Sequence, residues 1–234
     1  MTASEDKTIR VWDCPGGKSV GGPIKLPRGS LRPRFNATGD YFTAVIGGKR
    51  IFVWPFDRPT EPIVLEHPAG ANQVLWSPDG TTLATCGKDR RLRLWSIPAG
   101  KLLDESFKTD TTDLTSAAYA PDGQTIILGS HFFSSKAMYT EVFGWNVADR
   151  KSTFRERYEK EVWYVSAVAP DGQQFLSGAW AKTTRLMRTA DGKTVTEFAP
   201  QMDPPVSVKG TTFSPDGRQV LICAGNTAQI WSGF

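Results

Sequence analysis

The side chains best suited to acid–base and soft-metal chemistry are few: two histidines, His67 and His131, and three cysteines, Cys14, Cys86 and Cys223. A zinc site draws three or four such ligands together, and the chain holds no HxxxH or CxxC spacing to start one. Carboxylates are more suggestive. Asp79, Asp122, Asp171 and Asp216 each sit in a Pro-Asp-Gly triplet. Proline presets φ, aspartate bonds backbone two residues on, and glycine accepts positive φ, so turn formation accounts for all four. Catalytic carboxylates must also converge within several ångströms, which equivalent turns of separate units do not do. GxSxG, GxxxxGK[ST], HExxH and a strand-linked GxGxxG are absent. These observations predict no enzyme activity, no metal and no cofactor.

The elements around those turns are short strands. In residues 74–95, an apolar run ends at Trp76, the turn Ser77-Pro78-Asp79-Gly80 follows, and Thr82 to Cys86 forms a second run. After another polar turn, Arg91 to Trp95 alternates, with Leu92 and Leu94 on one side and Arg91, Arg93 and Trp95 on the other. The pattern recurs. Its strand-end residues are Trp12, Trp54, Trp95, Trp145, Met187 and Trp231, at spacings of 42, 41, 50, 42 and 44 residues. A period of about 40–45 with a terminal tryptophan predicts four-stranded propeller blades.

With TIRVWD (Thr8 to Asp13) and the block from His67 to Trp95, the chain resembles the WD-repeat β-propeller family in a form rich in SPDG turns. The resemblance implies an all-β fold of four-stranded antiparallel blades, five to six of them, in an incomplete ring. It also implies a hydrogen-bonded structural tetrad, complete only in His67, Thr85, Asp89 and Trp95. Thr2, Asp6 and Trp12 remain in the first unit, while Pro27, Asp110, Glu159 and Pro204 stand at the histidine position elsewhere. The chain is read as one domain, 1–234, with units at about 1–17, 18–58, 59–99, 100–149, 150–191 and 192–234. Family strand order gives a first blade without its innermost strand and a last blade without its outermost one. A fragment of a larger propeller is therefore expected, with self-association through unpaired blade edges.

A net charge of +4 without interleaved stacking aromatics argues against a nucleic-acid partner, and Arg28, Arg32 and Arg34 read as a solvated basic loop. No apolar run is long enough for a membrane helix, and an apolar secretory core is missing from MTASEDKTIR. A cytoplasmic location with reduced thiols is the expectation, Cys86 and Cys223 being buried apolar side chains. The resemblance points to a non-catalytic interaction scaffold with a protein or peptide partner. The alternatives are a regulatory or ligand-sensing segment of a larger protein such as a kinase or protease, or a propeller enzyme with a channel site. The partner surface is placed on the tetrad-side hairpins, at Phe132, Phe133, Met138 and Tyr139 of the long third unit, with Tyr164 and Trp180 of the fourth. Trp163 is assigned to the core.

Overall fold

The computed structural model describes residues 1–26, 30–46, 48–110, 112–135, 137–160, 162–178, 183–199 and 208–234, and among these there is no helix. Among the described residues twenty-two strands form six antiparallel meanders. The first sheet holds β1 (Thr2–Ala3), β2 (Thr8–Trp12) and β3 (Ser19–Lys25), and the second β4 (Ser30–Phe35), β5 (Tyr41–Ile46), β6 (Arg50–Pro55) and β7 (Ile63–Glu66). The third has β8 (Ala71–Trp76), β9 (Thr82–Gly87), β10 (Leu92–Ser96) and β11 (Lys101–Asp104). The fourth has β12 (Leu114–Tyr119), β13 (Thr125–Phe133), β14 (Met138–Asn146) and β15 (Lys151–Glu159). β16 (Tyr164–Val168), β17 (Gln174–Gly178), β18 (Thr184–Arg188) and β19 (Thr194–Phe198) make the fifth, and β20 (Val208–Phe213), β21 (Gln219–Ala224) and β22 (Thr227–Ser232) the sixth.

Period-2 alternation gives each strand two faces, and both are needed because each sheet packs between neighbours. On β10, Leu92 and Leu94 join Phe107, Leu128, Phe143 and Trp145 in the core shared with the fourth sheet. Trp95, from the opposite face, joins Ile51, Val53 and Leu65 of the second. The pattern repeats: Trp54 packs with Ile9 and Leu26, Met187 with Ile127 and Val142, and Trp231 against Leu176 and Phe198. Each strand-end residue from Trp54 onward thus plugs the seam to the preceding sheet, whereas Trp12 of the first sheet is 39% exposed. Trp163, 2% exposed, belongs to the seam between the fourth and fifth sheets. No such cluster joins the first sheet to the last among the described residues, so the blades form an open arrangement.

Gly87 shows how closely the chain passes itself at the top of the third sheet, where it pairs with Ala71. A Cβ there would lie 2.0 Å from the carbonyl oxygen of Gly70, whose loop links β7 to β8. Only glycine lets the two backbones pass.

Candidate functional site

The loop carrying His67 and the β9–β10 hairpin carrying Asp89 open on one face, and Arg93 of β10 joins them. Its Nη2 lies 2.7 Å from Asp89 Oδ2 and its Nε 3.2 Å from Glu105 Oε2. Its Nη1 is 3.3 Å from His67 Nε2. A guanidinium only donates, so Nε2 accepts and Nδ1 carries the ring hydrogen. Nδ1 is buried and has no partner among the described residues. Trp95 Nε1 donates separately to Thr85 Oγ1 at 3.0 Å. The tetrad implied by resemblance is therefore corrected: tryptophan and threonine are bonded directly, whereas histidine and aspartate are linked through an arginine absent from that scheme. The same pair of contacts occurs in the first sheet. Trp12 Nε1 donates to Thr2 Oγ1 at 2.8 Å, and Arg10 meets Asp6 at 3.3 Å. The missed signal was an arginine four residues after the aspartate and two before the tryptophan, in both DKTIRVW and DRRLRLW.

Charge follows geometry. Burial, then the Arg93 charge, lowers the His67 pKa from 6.5, with Asp89 opposing. Burial also lowers that of His131, against a weaker pull from Asp113. Desolvation raises the Asp89 carboxyl, but its hydrogen bond to Arg93 and the Arg93 charge outweigh it and hold the pKa below 3.8. A histidine depressed on folding takes up its proton more readily in the unfolded chain, so stability is full above about pH 6.5 and falls as pH drops below it. Thermal melts should show the midpoint declining from pH 6.5 towards 5, with a shallower slope in a His67→Gln/His131→Gln variant. Aspartates with lowered pKa lose their contribution only further down, below about pH 4.

The other blades show what happens when one partner of the indole–hydroxyl bond is missing. Trp145 pairs across the ladder with Ile126 and Trp231 with Val220, and two residues further along those strands stand Leu128 and Ile222 in place of Thr85. Both indole nitrogens are buried without a partner among the described residues. In the fifth sheet the hydroxyl survives as Ser177 but Met187 replaces the tryptophan, and Ser177 Oγ is left unpaired. Thr85→Val should then cost about 1–3 kcal/mol in chemical denaturation by stranding the Trp95 N–H, while Ser177→Ala should cost nothing.

Asp110, standing at the histidine position of the fourth sheet, accepts from Arg155 Nη2 at 2.8 Å, and the same nitrogen donates to Glu141 Oε1 at 2.8 Å. Arginine again ties the loop to the blade. These three residues come from separate segments, and no local pattern announces them.

The long insert of the third unit extends a hairpin. Phe132 pairs with Tyr139 and Phe133 with Met138, so the first pair points to one side of the ribbon and the second to the other. Phe132 stacks on Tyr139 at 5.2 Å, and the Arg157 guanidinium covers the Tyr139 ring at 3.6 Å. Tyr139 is buried, 9% exposed, which corrects the single apolar patch expected of these residues. Its burial follows from the cross-strand aromatic pair and the arginine on the neighbouring strand. Phe133 is 75% exposed, and Met138 is half-buried. On their side of the ribbon lies His131, with Tyr164 of the next sheet edge-on to its ring at 5.2 Å. Trp180, Pro27 and Pro204 lie outside the described residues.

The remaining chemistry-bearing groups stay apart. The four Pro-Asp-Gly aspartates occupy four turns of four sheets, each accepting from a backbone N–H two residues on. Among the described residues no three His, Cys, Asp or Glu side chains gather as metal ligands. Burial pushes the Cys86 thiol up to about 12, which keeps it protonated, while Cys14 is exposed and Cys223 only partly buried.

Six antiparallel meander sheets, two of them carrying an indole–hydroxyl bond, form an open array of blades consistent with an incomplete WD-repeat propeller. The family described as "WD domain, G-beta repeat" matches residues 1–13 and 61–96, which hold the two blades with the Trp–Thr bond. The chain is similar to the WD repeat-containing protein WDS homolog of Arabidopsis thaliana, 26% identical over 81% of the chain and 35% of that protein. It is also similar to the serine-threonine kinase receptor-associated protein of Gallus gallus, 23% identical over 82% of the chain and 64% of the relative. Actin-interacting protein 1 of Drosophila melanogaster is 29% identical over 48% of the chain and 19% of its own length. The chain thus spans less than two thirds of each of these relatives.

Proposed function

We propose that the chain is a non-catalytic scaffold that binds a protein partner through the tetrad-side end of the fourth and fifth sheets. The observation that carries this reading is Phe133: a large apolar side chain 75% exposed at the tip of a ribbon anchored to a rigid blade. Met138 opposite it, and His131 with Tyr164 beneath, extend the surface on the same side. An aromatic projecting from a fixed element loses little freedom on docking, which is how interface anchors act. Two relatives whose printed names point to protein association, with actin and with a receptor kinase, support the class of function. Trp180 is retained as a second anchor in this proposal.

Phe133→Ala should weaken partner binding by about 1–3 kcal/mol and leave the melting temperature unchanged, since the ring packs on little of the fold. Quantitative capture from a source-cell extract tests it, with Val195→Ala as control, an exposed side chain on β19. At least one protein should be depleted from the Phe133→Ala eluate alone. Identical eluates from all three baits would remove the hairpin from consideration.

A further inference from the structure

The opposite face, where the Pro-Asp-Gly turns lie, has a different charge plan. The innermost strands β4, β8, β12, β16 and β20 hold no acidic residue, and Arg34 of β4 brings a cation to them. They wall a cavity of about 520 Å³, whose lining includes Arg34, Gln73, Trp76, Tyr119, Ser166 and Thr211. Arg34 and the Trp76 indole can only donate, and the other four side chains can donate as well as accept. The Trp76 indole N–H and the Thr211 hydroxyl are also buried with no partner among the described residues. Around the mouth the sign reverses. Asp79, Asp122, Asp171 and Asp216 stand three residues beyond the ends of β8, β12, β16 and β20, and all four are exposed. Each accepts a backbone N–H of its own turn through Oδ1, at 2.8–3.1 Å. Asp79 and Asp122 accept a threonine hydroxyl through Oδ2 as well, and each carboxylate keeps further lone pairs for a cation outside.

A centre that holds the Arg34 cation and unpaired donors inside an anionic rim selects against a free polyanion or a nucleic-acid strand, which the rim repels, and against a purely basic peptide, which the Arg34 cation repels. We propose that this mouth takes the end of a peptide whose tip is a carboxylate and whose preceding residues are basic. The tip pairs with Arg34 and receives hydrogen bonds from the cavity wall, and the lysines or arginines behind it lie across the aspartate ring. A guanidinium suits the tip because it meets a carboxylate with two parallel N–H donors. The site lies on the far side of the disc from the Phe133 hairpin, so the two are separable by mutation.

The test is fluorescence anisotropy on the whole chain. The probe is a short labelled peptide of glycines and lysines ending in a glutamate with a free carboxyl terminus. Its twin ends in an amidated glutamine. The free acid should bind saturably and at least about tenfold more tightly than the twin. Arg34→Gln should abolish that preference. Asp122→Asn/Asp171→Asn keeps the turn chemistry, and should weaken both peptides and flatten their salt dependence. Phe133→Ala should change neither titration. Absence of saturable binding, equal affinity for the twins, or an unaltered preference in Arg34→Gln would overturn the assignment. So would loss of binding in Phe133→Ala, or displacement of the probe by citrate at equal concentration, which would indicate a site for free polyanions.

Discussion

Replacing Trp95 by alanine is expected to cost about 3–5 kcal/mol of stability, the range for truncating a buried aromatic. The indole is 8% exposed and fills the seam between the second and third sheets, against Ile51, Val53, Leu65 and Leu83. Among the described residues no single central core backs it up, because the apolar clusters lie between consecutive blades. The cavity would therefore fall where two rigid sheets meet, with little freedom to collapse. The Thr85 hydroxyl would lose its donor at the same time. Urea unfolding followed by tryptophan fluorescence and circular dichroism measures the loss. Trp95→Phe, which keeps most of the volume and drops the N–H, should sit between the two. A Trp95→Ala protein as stable as the parent would mean that the seams do not hold the blades together.

Arg93→Met comes next, at about 2–4 kcal/mol. Removing one partner of a buried ion pair costs about 3–5 kcal/mol, discounted here because Asp89 and Glu105 are 19% and 48% exposed in their side chains. Methionine preserves much of the buried stem, so the loss reports the charge and its hydrogen bonds rather than packing. His67 would lose its one contact with the hairpin strand as well. Asp89→Asn in the same background should recover part of the loss, and a double-mutant cycle isolates the coupling. Additive effects of the two changes would contradict the bridging role given to Arg93.

Residues of the fold were legible where local chemistry repeats. Ser-Pro-Asp-Gly fixes a turn by itself, and Arg91 to Trp95 states its two faces by alternation, so sheet composition followed from the period. Trp163 was readable as core because it precedes an apolar strand. What the sequence concealed are relations between strands. Nothing local says that Tyr139 will meet Phe132 across the ribbon and pass under Arg157, and only the register of β13, β14 and β15 brings the three together. Exposure of the hairpin therefore had to be divided between its two sides. Arg93 was hidden differently. It sits in plain view on the tryptophan side of β10, yet a tetrad carried over by resemblance has no place for a fifth member. Arg155, Glu141 and Asp110 lie far apart in sequence and are joined by the meander alone.

The tetrad-side hairpin of the fourth sheet is the docking surface proposed above. Hydrogen–deuterium exchange of the chain alone and with its captured partner tests this most directly, because it reads backbone protection without presupposing the contact. Docking there should slow exchange in residues 131–138 and around Tyr164 and leave the outer strand β19 unchanged. Protection confined to the Pro-Asp-Gly turns or to the outer strands, with residues 131–138 exchanging as in the free chain, would contradict it.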